Sequence, residues 1–295
     1  MMTLLIGLDG GGTGSRARAL RNGRAAGDVM EGGSANIHSD PAGATQRIAD
    51  LLARVRKAAG HDDPTDPDLH IVLGLAGASE SGAAARLTAA LPYRNVTVLG
   101  DVDISLSGAF QDDDGIVMAV GTGSVLARQA NGQMQRVGGY GFALGDEAGG
   151  AWLGRRALAM ALHVRDGLVD DAPLARTIWA RFETLAALLD FISTARPSDY
   201  AAIAPQVVAQ DSSGCPLAQA ILDEGCDYLL RAIRHLQAGD SAVPVAATGG
   251  LGPLLLERIA RKASPALTVT TPKGTALDGA LWRARQLAAT KGPKA

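Results

Sequence analysis

Asp9 stands just ahead of a run of glycines and hydroxyl side chains, Gly10-Gly11-Gly12-Thr13-Gly14-Ser15. A second run of the same kind, Gly121-Thr122-Gly123-Ser124, follows 109 residues later, Thr122 matching Thr13. The longer phrases GTGSRARALRNG, 12–23, and GTGSVLARQANG, 121–132, share Gly, Thr, Gly, Ser, Asn and Gly at equivalent places without a gap. Glycines let successive backbone N–H groups converge on an anion, and hydroxyls add donors beside them, which is phosphate chemistry. For one loop alone, a Gly-rich hairpin turn without a ligand is the simpler reading. Two copies at a fixed offset point instead to duplicated units whose equivalent loops grip the same phosphates.

The elements around these loops decide what kind of phosphate loop they are. Residues 12–17 match G-x-G-x-x-A, but that dinucleotide fingerprint needs a helix directly after the glycines. Here SRARALRNGRAAGDVM follows, with Asn22-Gly23 as a favoured two-residue hairpin turn between strand-like arms. The second copy repeats the grammar as strand GIVMAV, turn GTGS, strand VLARQ, turn ANG and strand QMQRVG. No G-x-x-x-x-G-K-[ST] occurs, so a Walker-type P-loop is excluded. Each glycine loop therefore joins two antiparallel strands.

After the first hairpins, Asp40-Pro41 predicts an N-cap and first turn, opening a helix to about Ala59 with Ile48, Leu51, Leu52 and Val55 on one face. Then come strand HIVLGLAG, helix SGAAARLTAALP, strand NVTVLGD and helix VDISLSGAFQ. The second half is predicted to carry a helical insertion from about Glu147 to Leu236, the strands PVAATGG and ALTVTTP, and a final helix GTALDGALWRARQLAA that returns to the first domain. The fold class is α/β, with a mixed sheet in each half. The expected domains are 1–112, joined by the helix at about 275–290, and 113–274.

At 295 residues the chain exceeds the usual single core. Its apolar content of 47%, charged content of 20% and net charge of -2 describe an ordinary globular protein whose spread basic residues do not mark a nucleic-acid binder. The start MMTLLIGLDGGG lacks a signal-peptide pattern and no segment approaches a membrane span, so a cytoplasmic location is expected. Cys215 and Cys226, with no CxxC pair, suit reduced packing residues better than a disulfide or zinc site. Small-molecule partners are expected, and a homodimer is left open.

The pieces GLDGGGTGS, GSANIH, LGLAGA, TVLGDVDISLSGAF, AVGTGS, GGYGFALGDEAGGAWLG, ATGGLGPLL and TALDGALWRA occur in this order over nearly the whole chain. Together they resemble the BadF/BadG-type ATPase family of the actin-like sugar-kinase superfamily, and within it the N-acetylglucosamine and glucosamine kinases. The resemblance implies two ribonuclease-H-like domains with a nucleotide cleft between them, and ATP-dependent phosphorylation of an amino-sugar hydroxyl, at the 6-position. Asp9 would hold Mg²⁺ through water, as suits a hard cation that keeps its hydration shell. Asp101 would be the general base. Asn36, Gly139 and Asp146 would bind the sugar. Gly11, Gly12, Thr13, Thr122, Gly123 and Ser124 would contact phosphates, and Gly249, Gly250 and Gly252 would admit adenosine.

Each role has a plainer counterpart: a strand-end turn former for Asp9, an N-cap for Asp101, an Asx-turn for Asn36, a helix N-cap for Asp146 and a strand-to-helix turn for the last glycines. Asp103 competes with Asp101 but falls in the helix's first turn. Ala148-Gly149 departs from the Gly-Ser of the family's GDEGSGAWLG-like pattern, which leaves the contact to the sugar's amine or acyl group open, as well as the role of Glu147. Two other functions remain beside the kinase. One is an activator ATPase with a cysteine-held iron–sulfur cluster, against which the two cysteines count; the other is a non-catalytic amino-sugar sensor.

Overall fold

The structure is a computed structural model that describes residues 3–38, 40–78 and 82–290. The chain divides into two compact units, one running to Val117 with 129–133 and the segment from Thr271 on, the other formed by Met118–Arg128 and Met134–Thr270.

The first unit contains β1 (Leu4–Gly10), β2 (Ser15–Arg21), β3 (Arg24–Ala25), β4 (Met30–Gly32), α1 (Pro41–Ala58), β5 (Leu69–Leu75), α2 (Ala83–Ala90), β6 (Asn95–Gly100) and α3 (Asp101–Phe110). Its sheet runs β3-β2-β1-β5-β6, with β4 also on β2. β1 pairs antiparallel with β2 and parallel with β5, which pairs parallel with β6, so the sheet is mixed. Alternate side chains of β1 serve opposite faces. Leu4, Ile6 and Leu8 share a core with Ile48, Leu51, Leu52 and Val55 of α1, while Leu5 joins Val72, Ile104, Ala280 and Ala284. A fully buried Leu or Ile contributes roughly 1.5–3 kcal/mol over leaving it exposed, so this two-sided packing fixes the strand that carries Asp9. α1 opens as its sequence predicts: the Asp40 carboxylate accepts from Gly43 N at 3.1 Å and Pro41 fills the first turn.

The second sheet runs β10-β7-β8-β9, formed by β7 (Gly115–Val120), β8 (Ser124–Ala130), β9 (Gln133–Gly138) and β10 (Val245–Thr248). Between β9 and β10 lie α4 (Gly150–Arg165), α5 (Pro173–Phe182), α6 (Leu185–Thr194), α7 (Pro197–Ala201), α8 (Ala204–Ser212) and α9 (Pro216–Gln237). α10 (Gly252–Lys262) and α11 (Ala276–Thr290) follow. α11 packs on α3, β1 and β5, an approach that the missing side chain of Gly279 permits, since a carbon there would collide with Ile104 O.

Two elements differ from the sequence expectation. The third antiparallel arm is broken: β3 is two residues long and pairing with β2 resumes only at β4. ALTVTTP forms no strand but a single parallel bridge, Val245 to Val269, with Val245 N donating to Thr268 O at 2.8 Å and Thr270 N to Val245 O at 2.9 Å. The segment lies beside β10 with none of its residues buried and Pro272 next, so no apolar face holds it in a longer ladder.

Candidate active site

In the first unit the parallel strands β1, β5 and β6 end together, and ligands of open α/β sheets bind beyond such carboxyl ends. β1 delivers Asp9, and the glycine turn behind it is closed by Gly11 N donating to Gly14 O at 2.9 Å. Neighbouring loops are stitched to it: Ala35 N to Gly11 O at 3.0 Å, Ala76 N to Gly10 O at 2.9 Å and Ile37 N to Ala76 O at 3.2 Å. These bonds seat Asn36 beside the turn. Its Oδ1 accepts from His38 N at 3.0 Å, an Asx-turn, so the plainer reading of Asn36 holds alongside any sugar contact. Asp9 faces Arg16 across the β1–β2 ladder and pairs with its Nη2 at 2.8 Å, with side-chain exposures of 19% and 51%. The motifs did not single out Arg16, whose place opposite Asp9 is set by the pairing of β1 with β2.

The structure corrects the capping readings. The N-cap of α3 is Gly100, not Asp101, and the carboxylate that serves it is Asp103, whose Oδ2 accepts from Gly100 N at 2.7 Å. Asp101 is the first helical residue, half-buried, with Oδ1 accepting from its neighbour Val102 N at 2.9 Å. Asp103 is thus committed to the helix end. Asp101 stands at the end of β6, where the helix N-terminus favours an ionised carboxylate. Likewise α4 is capped by Gly149, not Asp146.

In the second unit the Gly121–Gly123 turn, closed by Gly121 N to Gly123 O at 2.9 Å, is held by the start of α4: Gly150 N donates to Gly121 O at 2.8 Å and Ala151 N to Thr122 O at 2.9 Å. The loop from Gly139 to Gly149 folds against the same turn. Gly139 N donates to Ser124 O at 3.1 Å, and a side-chain carbon at Gly123 would collide with the Asp146 carboxylate. The Gly249 turn joins them, with Leu251 N donating to Val120 O at 3.0 Å at the end of β7. Gly123, Asp146, Gly139 and the Gly249–Gly252 turn, distant in sequence, are brought together within this unit.

The repeated serines have a shared answer. Ser15 and Ser124 are both buried, and their hydroxyls donate to Gly33 O at 2.9 Å and Glu147 O at 2.6 Å, tying each turn to a later loop. The Ser124 hydroxyl, expected among the phosphate donors, is committed to this tie. Thr13 is exposed on its turn and Thr122 is half-buried on its own.

The departure at Ala148-Gly149 also has a physical account. Ala148 is fully buried at a φ of 65°, a left-handed backbone that favours glycine, and it meets the bare Gly225 of α9. At Gly149 a side-chain carbon would stand 2.8 Å from Gly123 Cα, so this chain has no room there for the family's serine. Farther along α9 comes Tyr228, which the sequence did not single out. Burial first, then Glu147, Tyr140 and Asp146, push its phenol above the ordinary value. The phenol and both carboxylates therefore share one neighbourhood.

For Mg²⁺, the described residues contain no group of three or more His, Cys, Asp or Glu that could hold a metal by themselves. Asp9 at a strand end beside a phosphate-type turn fits the cation's preference for one or two carboxylates, phosphates and retained water.

The family profile of the BadF/BadG/BcrA/BcrD ATPases matches residues 6–258. The chain belongs to this family. Within it, the chain is 30% identical over 289 residues to glucosamine kinase GspK of Vibrio cholerae, covering 95% of each protein. The crystal structure of a candidate N-acetylglucosamine kinase from Chromobacterium violaceum superposes with a TM-score of 0.86 at 30% identity, covering 96% of this chain and 99% of that one. A glucokinase of the ROK family from Streptomyces griseus shares the fold at a TM-score of 0.62 and 17% identity, over 98% and 100% of the two chains. The actin-like, two-domain α/β architecture expected of such family members is thereby shown.

Proposed function

We propose that this protein is an ATP-dependent hexosamine kinase that phosphorylates glucosamine or N-acetylglucosamine at the 6-hydroxyl. One observation within the chain carries the nucleotide part. Among the described glycines, only Gly12, Gly121 and Gly250 have neither a left-handed backbone nor any atom within 4 Å of where a side-chain carbon would stand. Neither packing nor backbone geometry asks for glycine at these positions, yet one lies in each of the three turns read as nucleotide contacts. Close approach of a ligand to the backbone supplies the missing reason.

In this reading the turns at Gly11-Gly12-Thr13 and Thr122-Gly123 bind the phosphates, and the Gly249–Gly252 turn meets the adenosine. Asn36, Gly139 and Asp146 hold sugar hydroxyls. The 6-oxygen attacks the γ-phosphorus, its proton passes to the Asp101 carboxylate, and the bond from γ-phosphorus to the bridging oxygen breaks to release ADP. Asp9 would hold Mg²⁺ through water; when bound, the ion neutralises charge developing on the phosphate oxygens. Arg16 must then share or release Asp9. The reading also carries the domain division at 112/113 and a cytoplasmic location; among the described residues no helix is long and apolar enough to cross a membrane.

Calorimetric titration of ATP into Gly12→Ala, Gly121→Ala and Gly250→Ala tests the carrying observation. Alanine suits an ordinary backbone and removes unfolded-state entropy, so Tm should hold or rise slightly. ATP affinity should fall about tenfold to a hundredfold, the scale of a lost hydrogen bond to a charged group. Undiminished affinity in all three would refute the nucleotide assignment.

A further inference from the structure

We propose that Phe142 is a positioning residue that sets the sugar-binding loop through an aromatic ladder reaching into α5, α6 and α7. The proposal rests on the hexosamine-kinase reading for the roles of Gly139 and Asp146, though not for its geometry.

Of the five residues from Tyr140 to Leu144, Phe142 alone turns inward; Tyr140 is 70% and Leu144 87% exposed. Its ring lies 4.9 Å from that of Tyr200 on α7, tilted by 38°. Tyr200 meets Phe191 of α6 edge-on at 5.7 Å, and Phe191 meets Phe182 of α5 at 5.1 Å. Guanidinium groups cover the ladder: Arg155 sits 5.2 Å from the Phe142 ring, and Arg181 sits 5.2 Å from Phe182 and 5.7 Å from Phe191. The receiving end is fixed because α7 presses on α4: a side-chain carbon at Gly154 would collide with Tyr200 O, and one at Gly150 would stand 3.3 Å from Ala201 Cβ.

The loop's two ends are tied to the Gly121–Gly123 turn through Gly139 N and Glu147 O, and the ring holds its middle. Leu144 N and Gly145 N donate to Gly141 O at 3.2 and 2.9 Å, and Gly141 N donates to Asp146 Oδ1 at 3.3 Å. Gly141 is the immediate neighbour of Phe142, so the ring's seat on Tyr200 fixes the peptide that the Asp146 carboxylate grips. Asp146 has a φ of 60°, a conformation that the surroundings must impose. The ladder is the rigid support for that constraint.

The test compares Phe142→Ala, Phe142→Tyr and Phe191→Leu by sugar KM, ATP KM and amide hydrogen exchange across residues 141–149. Phe142→Ala should raise sugar KM several-fold to about tenfold, the scale of a lost aromatic contact, while ATP KM stays put. Exchange in the loop should quicken. Phe142→Tyr keeps the ring and should restore both readouts. Phe191→Leu, two contacts away, should move them in the same direction by less, and it decides the matter if Phe142→Ala does not fold. Unchanged sugar KM and loop exchange, or equal rises in both KM values, would overturn the positioning role. Should the wild type turn over no hexosamine, the kinase reading fails by itself, and loop exchange still decides whether Phe142 holds the loop.

Discussion

Asp101 and Asp103 are two residues apart in the first turn of α3 and differ in role. The Asp103 carboxylate accepts from Gly100 N at 2.7 Å, whereas Asp101, at the end of β6, is the general base of the proposed reaction. Replacing Asp101 by Asn removes a proton acceptor and a charge worth roughly 0.3–1 kcal/mol at a helix N-terminus. Tm should fall little, whereas kcat should drop about 10²- to 10⁴-fold, with sugar KM moving less. Retention of more than about a tenth of wild-type kcat would be too small a loss for a missing general base. At this scale the sequence was legible where a residue's neighbours in the chain set its local structure: the closed glycine turns and the Asx-turn at Asn36 belong to local motifs. It was illegible for Asp101 as cap, because Gly100 and Asp103 compete for the same helix end, and for Arg16, Phe142 and Tyr228, whose partners are supplied by strand pairing or by distant helices.

Among the elements, α11 shows how a segment far along the chain becomes part of the first unit. TALD at its start forms a capping box: Asp278 N donates to Thr275 Oγ1 at 3.2 Å, and Asp278 Oδ2 accepts from Thr275 N at 2.9 Å. Asp278 Oδ1 also accepts from Arg18 Nη2 of β2 at 3.0 Å. Burial opposes ionisation of Asp278, but the Thr275 bonds and Arg18 outweigh it and hold its carboxyl below the ordinary value. A depressed folded pKa stabilises above the unfolded value and ceases to do so as pH falls through the folded one. Asp278→Ala should therefore cost on the order of 1 kcal/mol at neutral pH, the scale of a lost cap, and the gap to wild type should narrow under acid. Thermal melts across that range check this; a gap independent of pH would show that the carboxylate's charge is not what holds α11. The sequence disclosed α1 through its cap and apolar face, and α11 as a helical segment whose capping box it did not single out. It misjudged ALTVTTP, where β-branched residues promised a strand that no buried face supports.

For the molecule as a whole, the duplicated phrase is accounted for by two kinds of residue. Its serines tie each turn to a later loop, and in the proposed reading Gly12, Gly121 and the two threonines face the nucleotide. Both cysteines are buried, the Cys226 thiol pushed up to about 11 by burial, as suits packing residues. Family membership and the actin-like fold rest on nearly the full chain, whereas the proposed transfer of phosphate to an amino sugar assigns roles to these turns, to Asp101 and to Asn36, Gly139 and Asp146. Phosphorus NMR of the purified protein with Mg·ATP and either glucosamine or N-acetylglucosamine follows that transfer atom by atom. The account predicts loss of the γ-phosphate signal with matching growth of a hexosamine 6-phosphate, faster than any product formed from glucose. ATP left intact with both amino sugars, ADP and free phosphate in place of a sugar phosphate, or glucose consumed at least as fast would contradict it.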